Sequence, residues 1–210
     1  RWSEEVAKSH KAHYFDLTEL VTDAYKKAGR EQVEKFYATV LREARRLQTL
    51  VDDLMSLSRV EAEKHDQPRE KLDLGLIVRQ AARDGAWQER MKRVRMELPP
   101  EEVLVRGDQN QLEQLVRNLV DNALKYGNPD LPVTVTLSLA ERDMVLLSVE
   151  DRGEGIAAEH LPHLTRRFYR TDPSRSRAAG GTGLGLAICK GLVEGMGGRW
   201  LAEPRPLAQL

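Results

Sequence analysis

Four glycines fall within six positions at Gly180-Gly181-Thr182-Gly183-Leu184-Gly185, and the apolar run Leu186-Ala187-Ile188 follows them. Such glycines strip side chains from a backbone that must pass close to something. A glycine-rich turn feeding a helix start suits an anion, because unpaired N–H groups and the helix dipole converge on one place. A bare surface turn has the same composition. Upstream, Asn118 and Asn122 stand four residues apart, on one face of a segment with helical spacing. An amide oxygen is a good hard ligand for Mg²⁺, and Lys125 lies one turn from Asn122. Two solvated asparagines are the plain alternative, yet asparagine is a mediocre helix former and two in mid-helix suggest a use. Asp151-Arg152-Gly153-Glu154-Gly155 follows the apolar run Met144-Val145-Leu146-Leu147-Ser148-Val149. A carboxylate at a strand end can accept from an exocyclic amine while Gly153 and Gly155 let the ligand approach; the same residues also make ordinary turns. Phe168-Tyr169-Arg170-Thr171-Asp172 precedes a small, charged stretch, residues 173–179. It reads as the root of a lid, pinned by two rings and with Arg170 set to meet a phosphate, or as a surface loop.

In this order the four segments resemble the asparagine, first glycine, phenylalanine and second glycine boxes of the GHKL ATP-binding fold. The closest likeness is to the sensor histidine kinases of two-component systems, of the phosphate-regulon type. It covers residues 72–199. Phe168-Tyr169-Arg170 ahead of Gly-Thr-Gly-Leu-Gly-Leu is a kinase feature that other ATPases of the fold do not share. The resemblance implies ATP and Mg²⁺ as cofactors. Asn122 would bind the metal and through it the triphosphate, with Asn118 beside it. Lys125 and Tyr126 would contact phosphate and the surroundings of adenine. Asp151 would read the adenine amine, Gly153 and Gly155 would shape the pocket, and Arg170 would reach the phosphates. Gly181, Thr182, Gly183, Leu184 and Gly185 would form the loop that cradles them. Such a site acts by positioning and by neutralising the charge of a leaving diphosphate.

The elements that must hold these groups follow from periodicity. Leu112, Leu115, Leu119, Ala123 and Leu124 give one apolar helix face, with Asp108 as N-cap and Gly127 as stop. Val103-Leu104-Val105, the runs 133–139 and 145–149, and residues 199–202 read as strands. Helices near residues 74–88, 109–126 and 184–194 should cover one face of them. The fold class expected is α+β: a long helical hairpin, forming a four-helix bundle on dimerisation, followed by a GHKL α/β sandwich. The boundaries expected are 1–66 for the hairpin, 67–71 for a linker broken by Gln67-Pro68-Arg69, and 72–210 for the ATP-binding domain.

The hairpin reads as helices over residues 3–27 and 31–64, with a turn at Ala28-Gly29-Arg30. In the second, Phe36, Val40, Leu47, Val51, Leu54 and Leu57 form a stripe on an otherwise polar helix. A stripe this long needs a partner, and a homodimer buries it. The segment from Leu41 to Arg59 resembles the second helix of the kinase dimerisation domain. The first helix should carry the phosphoacceptor histidine, followed by an acid that takes its proton. His10 and His13 are the candidates, His10 first. Lys11 stands where the acid belongs, Tyr14 and Phe15 where threonine and proline belong, and both histidines share the stripe Val6, Leu17, Leu20, Val21 and Ala24. At the other end Pro204-Arg205-Pro206 replaces the family's last turn and strand.

Composition bounds the rest. Across 210 residues, 33 Lys and Arg balance 33 Asp and Glu, so no basic field argues for nucleic acid. Cys189 is the single cysteine, expected as a small buried hydrophobe. No apolar run is long enough to span a bilayer. The expectation is therefore the cytoplasmic core of a sensor kinase, meeting a membrane only through segments outside this stretch. It would phosphorylate itself on histidine and pass the phosphate to a response-regulator receiver domain. A degenerate kinase that serves as a nucleotide-binding dimer or scaffold is the alternative.

Overall fold

The structure is a computed structural model, and it describes residues 30–62, 70–81, 92–140, 144–171 and 181–203. The expected first helix, with His10 and His13, lies outside the described residues, as do the linker core, residues 172–179 of the expected lid and Gly180. The chain divides into two compact units, Arg1–Thr49 and Leu50–Leu210. Helix α1, Arg30–Ala62, has residues in both. In the first unit it exposes Phe36, Tyr37, Val40, Leu41 and Leu47.

In the second unit β1 (Lys71–Asp73) leads directly into α2 (Leu74–Ala81). The Asp73 carboxylate organises this corner, accepting from the Gly75 N–H at 2.9 Å and the Val103 N–H at 3.2 Å. Then come β2 (Val94–Glu97), β3 (Leu104–Arg106), α3 (Gln109–Tyr126), β4 (Val133–Leu139) and β5 (Val145–Glu150). A 3₁₀ helix, Ala158–His163, and α4, Gly185–Gly195, complete the described elements. β1 pairs with β3 antiparallel. β4 is central to a second sheet, parallel to β2 and antiparallel to β5. Val133, Val135 and Leu137 alternate inward along β4, as a strand with one covered face requires.

Two apolar clusters result. The first joins α2 and α3 to β4 through Ile77, Val78, Val116, Val120, Val133 and Val135. The second joins α1, α3 and α4 through Leu57, Val60, Leu115, Leu184, Ile188, Cys189 and Leu192. Burying a Leu or Ile of this kind contributes about 1.5–3 kcal/mol. α1 passes close to α4 at Gly191, where a Cβ would meet the Val60 Cγ1 at 2.6 Å.

Two strands that the sequence analysis left out are present. β1 is three residues long, and β2 alternates Val94 and Met96 with Arg95 and Glu97, which pair at 3.1 Å. The strand expected at 199–202 is absent: residues 198–203 have no strand assignment, although Trp200 packs against the second cluster.

α3 begins as its sequence dictates. Asp108 is extended at the N-cap and its carboxylate accepts from the Gln111 N–H at 3.0 Å. At the other end the Gly127 N–H reaches the Ala123 carbonyl at 2.8 Å. Asp108→Ala should lower the unfolding free energy by about 1 kcal/mol, with Asp108→Asn close to wild type, read from urea denaturation.

Candidate functional site

Along α3, Lys125, Asn118 and Asn122 fall within an arc of about 60° at 100° per residue. The arc sits beside Leu115, which faces α4, and away from Val116 and Val120, which face the sheet. All three side chains are half-buried. Among the described residues the buried Asn118 Nδ2 has no oxygen acceptor and lies by the Cys189 sulfur, a weak one, so it is a donor that burial makes costly to leave unmet. Its side chain also borders an open polar cleft with Ser56, Gln114 and Arg117. The Lys125 ammonium lies 5.5 Å from the centre of the Tyr126 ring.

The Asp151 turn closes on the end of this helix. The Asp151 carboxylate is exposed and accepts from the Gly153 N–H at 2.9 Å. A Cβ on Gly153 would lie 2.7 Å from the Tyr126 carbonyl oxygen, and one on Gly127 would lie 3.0 Å from the Asp151 Cβ. Side chains are excluded from both glycines, so the carboxylate stands directly beside the α3 terminus. Gly155 takes φ +77° with open space around it.

The glycine loop and the aromatic corner form one device. Phe168 takes φ 62°, the left-handed region, and donates its N–H to the Gly183 carbonyl at 2.9 Å. Gly183 takes φ +75°, and a Cβ there would press within 3.0 Å of the Phe168 backbone. The Arg170 guanidinium donates to the Gly181 carbonyl. The Tyr169 hydroxyl meets the His160 Nδ1 at 2.7 Å, and its ring packs edge-on against His163 at 5.6 Å. Of the two rings expected to pin this corner, Tyr169 does so, whereas Phe168 is 56% exposed. Leu184 is fully buried and starts α4, and the Leu184 N–H donates to the Thr182 hydroxyl oxygen at 3.3 Å.

Two acids absent from the site expected from sequence belong to this region. The Thr182 hydroxyl donates to the Asp53 Oδ2 at 2.5 Å, and Arg167 pairs with Glu61, both acids lying on α1. Burial pushes the Asp53 carboxyl up, with Asp52 adding to the shift and the Thr182 hydrogen bond and Lys125 opposing it. The signal was spacing: Leu50, Asp53, Leu57 and Val60 fall on one helical stripe, so the carboxylate interrupts an apolar row. Cys189 is the buried hydrophobe expected; burial pushes its thiol up to about 12, with the nearby Asn118 amide opposing part of the shift.

Gly155 and Gly183 share a positive φ and differ in the atoms around them. Gly155→Ala should cost only the backbone preference, about 1–2 kcal/mol. Gly183→Ala should cost more, because its Cβ meets the Phe168 backbone. Urea unfolding of both variants checks the order.

Residues 107–208 match the family of histidine kinase-, DNA gyrase B-, and HSP90-like ATPases. Signal transduction histidine-protein kinase BaeS of Escherichia coli (strain K12) is 36% identical over 192 residues, covering 90% of this chain and 39% of BaeS. Sensor histidine kinase TrcS of Mycobacterium tuberculosis (strain ATCC 25618 / H37Rv) is 41% identical over 170 residues, 79% of this chain and 33% of TrcS. Among solved structures, full-length ShkA in complex with AMPPNP aligns with a TM-score of 0.59 at 27% identity, over 86% of this chain and 38% of that one. The chain thus spans 33–39% of the length of these two curated relatives. Sequence and fold agree: residues 107–208 belong to the GHKL-type ATP-binding domains, and the curated relatives that match along the chain are sensor histidine kinases.

Proposed function

We propose that this chain is the cytoplasmic catalytic core of a sensor kinase, which binds Mg·ATP, phosphorylates itself on histidine and passes the phosphate to an aspartate of a response-regulator receiver domain. The observation that carries the reading is the meeting of three parts on α3. The Asp151 turn abuts its C-terminal end, α4 with its glycine loop packs along it, and Asn118, Asn122 and Lys125 share the arc beside that packing. The AMPPNP bound to ShkA supports an adenosine triphosphate as the ligand.

Asp151, brought beside the α3 terminus by the close approach at Gly153, would accept from the adenine amine, and the open space at Gly155 would leave the base room to approach. Asn118 would supply its unmet N–H, and Lys125 a positive charge, to ligand oxygens. Arg170 would exchange the Gly181 carbonyl for a phosphate oxygen. Gly181, Thr182, Gly183, Leu184 and Gly185 would present backbone N–H groups at the α4 start. Asn122 would hold Mg²⁺ through its amide oxygen, and the ion would supply charge neutralisation to the triphosphate. Among the described residues no cluster of three His, Cys, Asp or Glu side chains is set to hold a metal. An ion carried by phosphates and one amide fits that donor set.

A ring nitrogen of His10 would attack the γ-phosphorus as the bond to the bridging oxygen of ADP breaks. The ring proton must pass to a base other than residue 11, because Lys11 occupies that place. Among the described residues no helix is long and apolar enough to cross a membrane; attachment to one would come through segments outside this chain. The exposed stripe Phe36, Val40, Leu47, Val51 and Leu54 favours a homodimer with the same stripe of a second copy as partner.

Incubation with γ-labelled ATP and Mg²⁺ tests the kinase reading. Acid-labile, alkali-stable label is expected on wild type and His13→Gln, and is lost in His10→Gln and Asn122→Asp. A wild type that binds nucleotide without taking label would overturn autophosphorylation and leave the nucleotide-binding scaffold. Sedimentation equilibrium tests the dimer: wild type should run at twice the chain mass, and Leu47→Asp should shift toward monomer.

A further inference from the structure

Asp53 lies on α1 between Leu50 and Leu57, which both pack into the second apolar cluster. Its carboxylate accepts from the hydroxyl of Thr182, inside the glycine loop. The Lys125 charge acts on the same carboxylate from α3, and Asp52 from its own helix. Two turns along α1, Glu61 pairs with Arg167, the residue before Phe168. A carboxylate of the chain itself therefore holds Thr182 and feels the charge of Lys125, two of the groups assigned above to the triphosphate. In charge and in accepting hydrogen bonds, a carboxylate offers these groups what a phosphate oxygen would. Both anions cannot sit there together without like-charge repulsion in a half-buried place.

We infer that Asp53 is an internal competitor for the nucleotide: its carboxylate holds the glycine loop through Thr182 and must give way before a nucleoside triphosphate engages that loop. The inference rests on the nucleotide reading and adds a regulatory link to it. Any displacement of α1 that withdraws Asp53 raises nucleotide affinity, and nucleotide binding in turn loosens this end of α1 from the loop, because coupling is reciprocal. The Glu61–Arg167 pair restrains the aromatic corner from the same helix.

The test is calorimetric titration of the full chain with Mg·AMPPNP. Wild type, Asp53→Ala, Asp53→Asn, Asp52→Asn and Asn122→Asp are compared at one ionic strength. Asp53→Ala and Asp53→Asn should bind about 5- to 10-fold more tightly than wild type. Asp52→Asn removes the same charge one residue away and should change affinity less than twofold. Damage to the fold would weaken binding, so a gain of affinity reports competition rather than structure. Equal or weaker binding by both Asp53 variants, with wild type binding and Asn122→Asp not, overturns the competitor and leaves the nucleotide site standing. No binding by folded wild type overturns the nucleotide reading and the competitor with it.

Discussion

Helix α3 must satisfy three neighbours at once, and the rest of the second unit follows from how it does so. Val116, Val120 and Ala123 belong to the cluster with β4, and Leu115 to the cluster with α1 and α4. Those two commitments leave a restricted arc for polar work, and Asn118, Asn122 and Lys125 fill the part bordering α4. A rotation of the helix by one residue, about 100°, would drive asparagine into the sheet and valine toward the loop. The core thus sets the direction of the polar side chains. The Asp108 cap and the Gly127 stop fix the axial position, so the Asp151 turn meets a defined helix end.

Much of this was legible because the signals were redundant. The α3 limits were marked by a cap, a stop and an unbroken apolar period, and the structure has the helix at those residues. β4 and β5 were long and rich in β-branched and aliphatic residues. β1 and β2 were not legible, because three or four residues give too little alternation and their stability comes from partners distant in sequence. A strand at 199–202 was read from apolar content, and that content goes into packing: Trp200 lies against the second cluster. At the site, the glycines and asparagines were legible as residue types. The Glu61 contact was not, since an acid on a polar helix reads as solvated until the opposing surface is known; Asp53 was marked only by its place in an apolar row, with nothing to name Thr182 as its partner.

The aromatic corner shows why the motif needs glycine at one place and tolerates strain at another. Phe168 and Gly183 both take positive φ and are joined by a hydrogen bond. A residue with a side chain in that region costs about 1–3 kcal/mol, and it persists only when its surroundings over-determine it. Here they do: the Tyr169 hydroxyl is held by His160, its ring by His163, and Arg170 by the Gly181 carbonyl. The exposed Phe168 ring contributes little to that restraint, so the strain is offset by its neighbours in sequence.

The attachments of α1 in the second unit divide by strength, and the division decides what can move. Leu57 and Val60 are buried against Leu184, Ile188 and Leu192, contacts that are lost only if that cluster opens. Glu61 and Arg167 are each more than half exposed, and a pair so placed contributes at most about 1 kcal/mol. The Asp53 contact is intermediate: the carboxylate is half-buried, but burial itself opposes its charge. A ligand acting on the glycine loop therefore meets weak polar ties at Thr182 and Arg167 before it meets the apolar packing behind them. The polar ties can exchange while the helix stays seated, which makes the loop end of α1 responsive without requiring the unit to come apart.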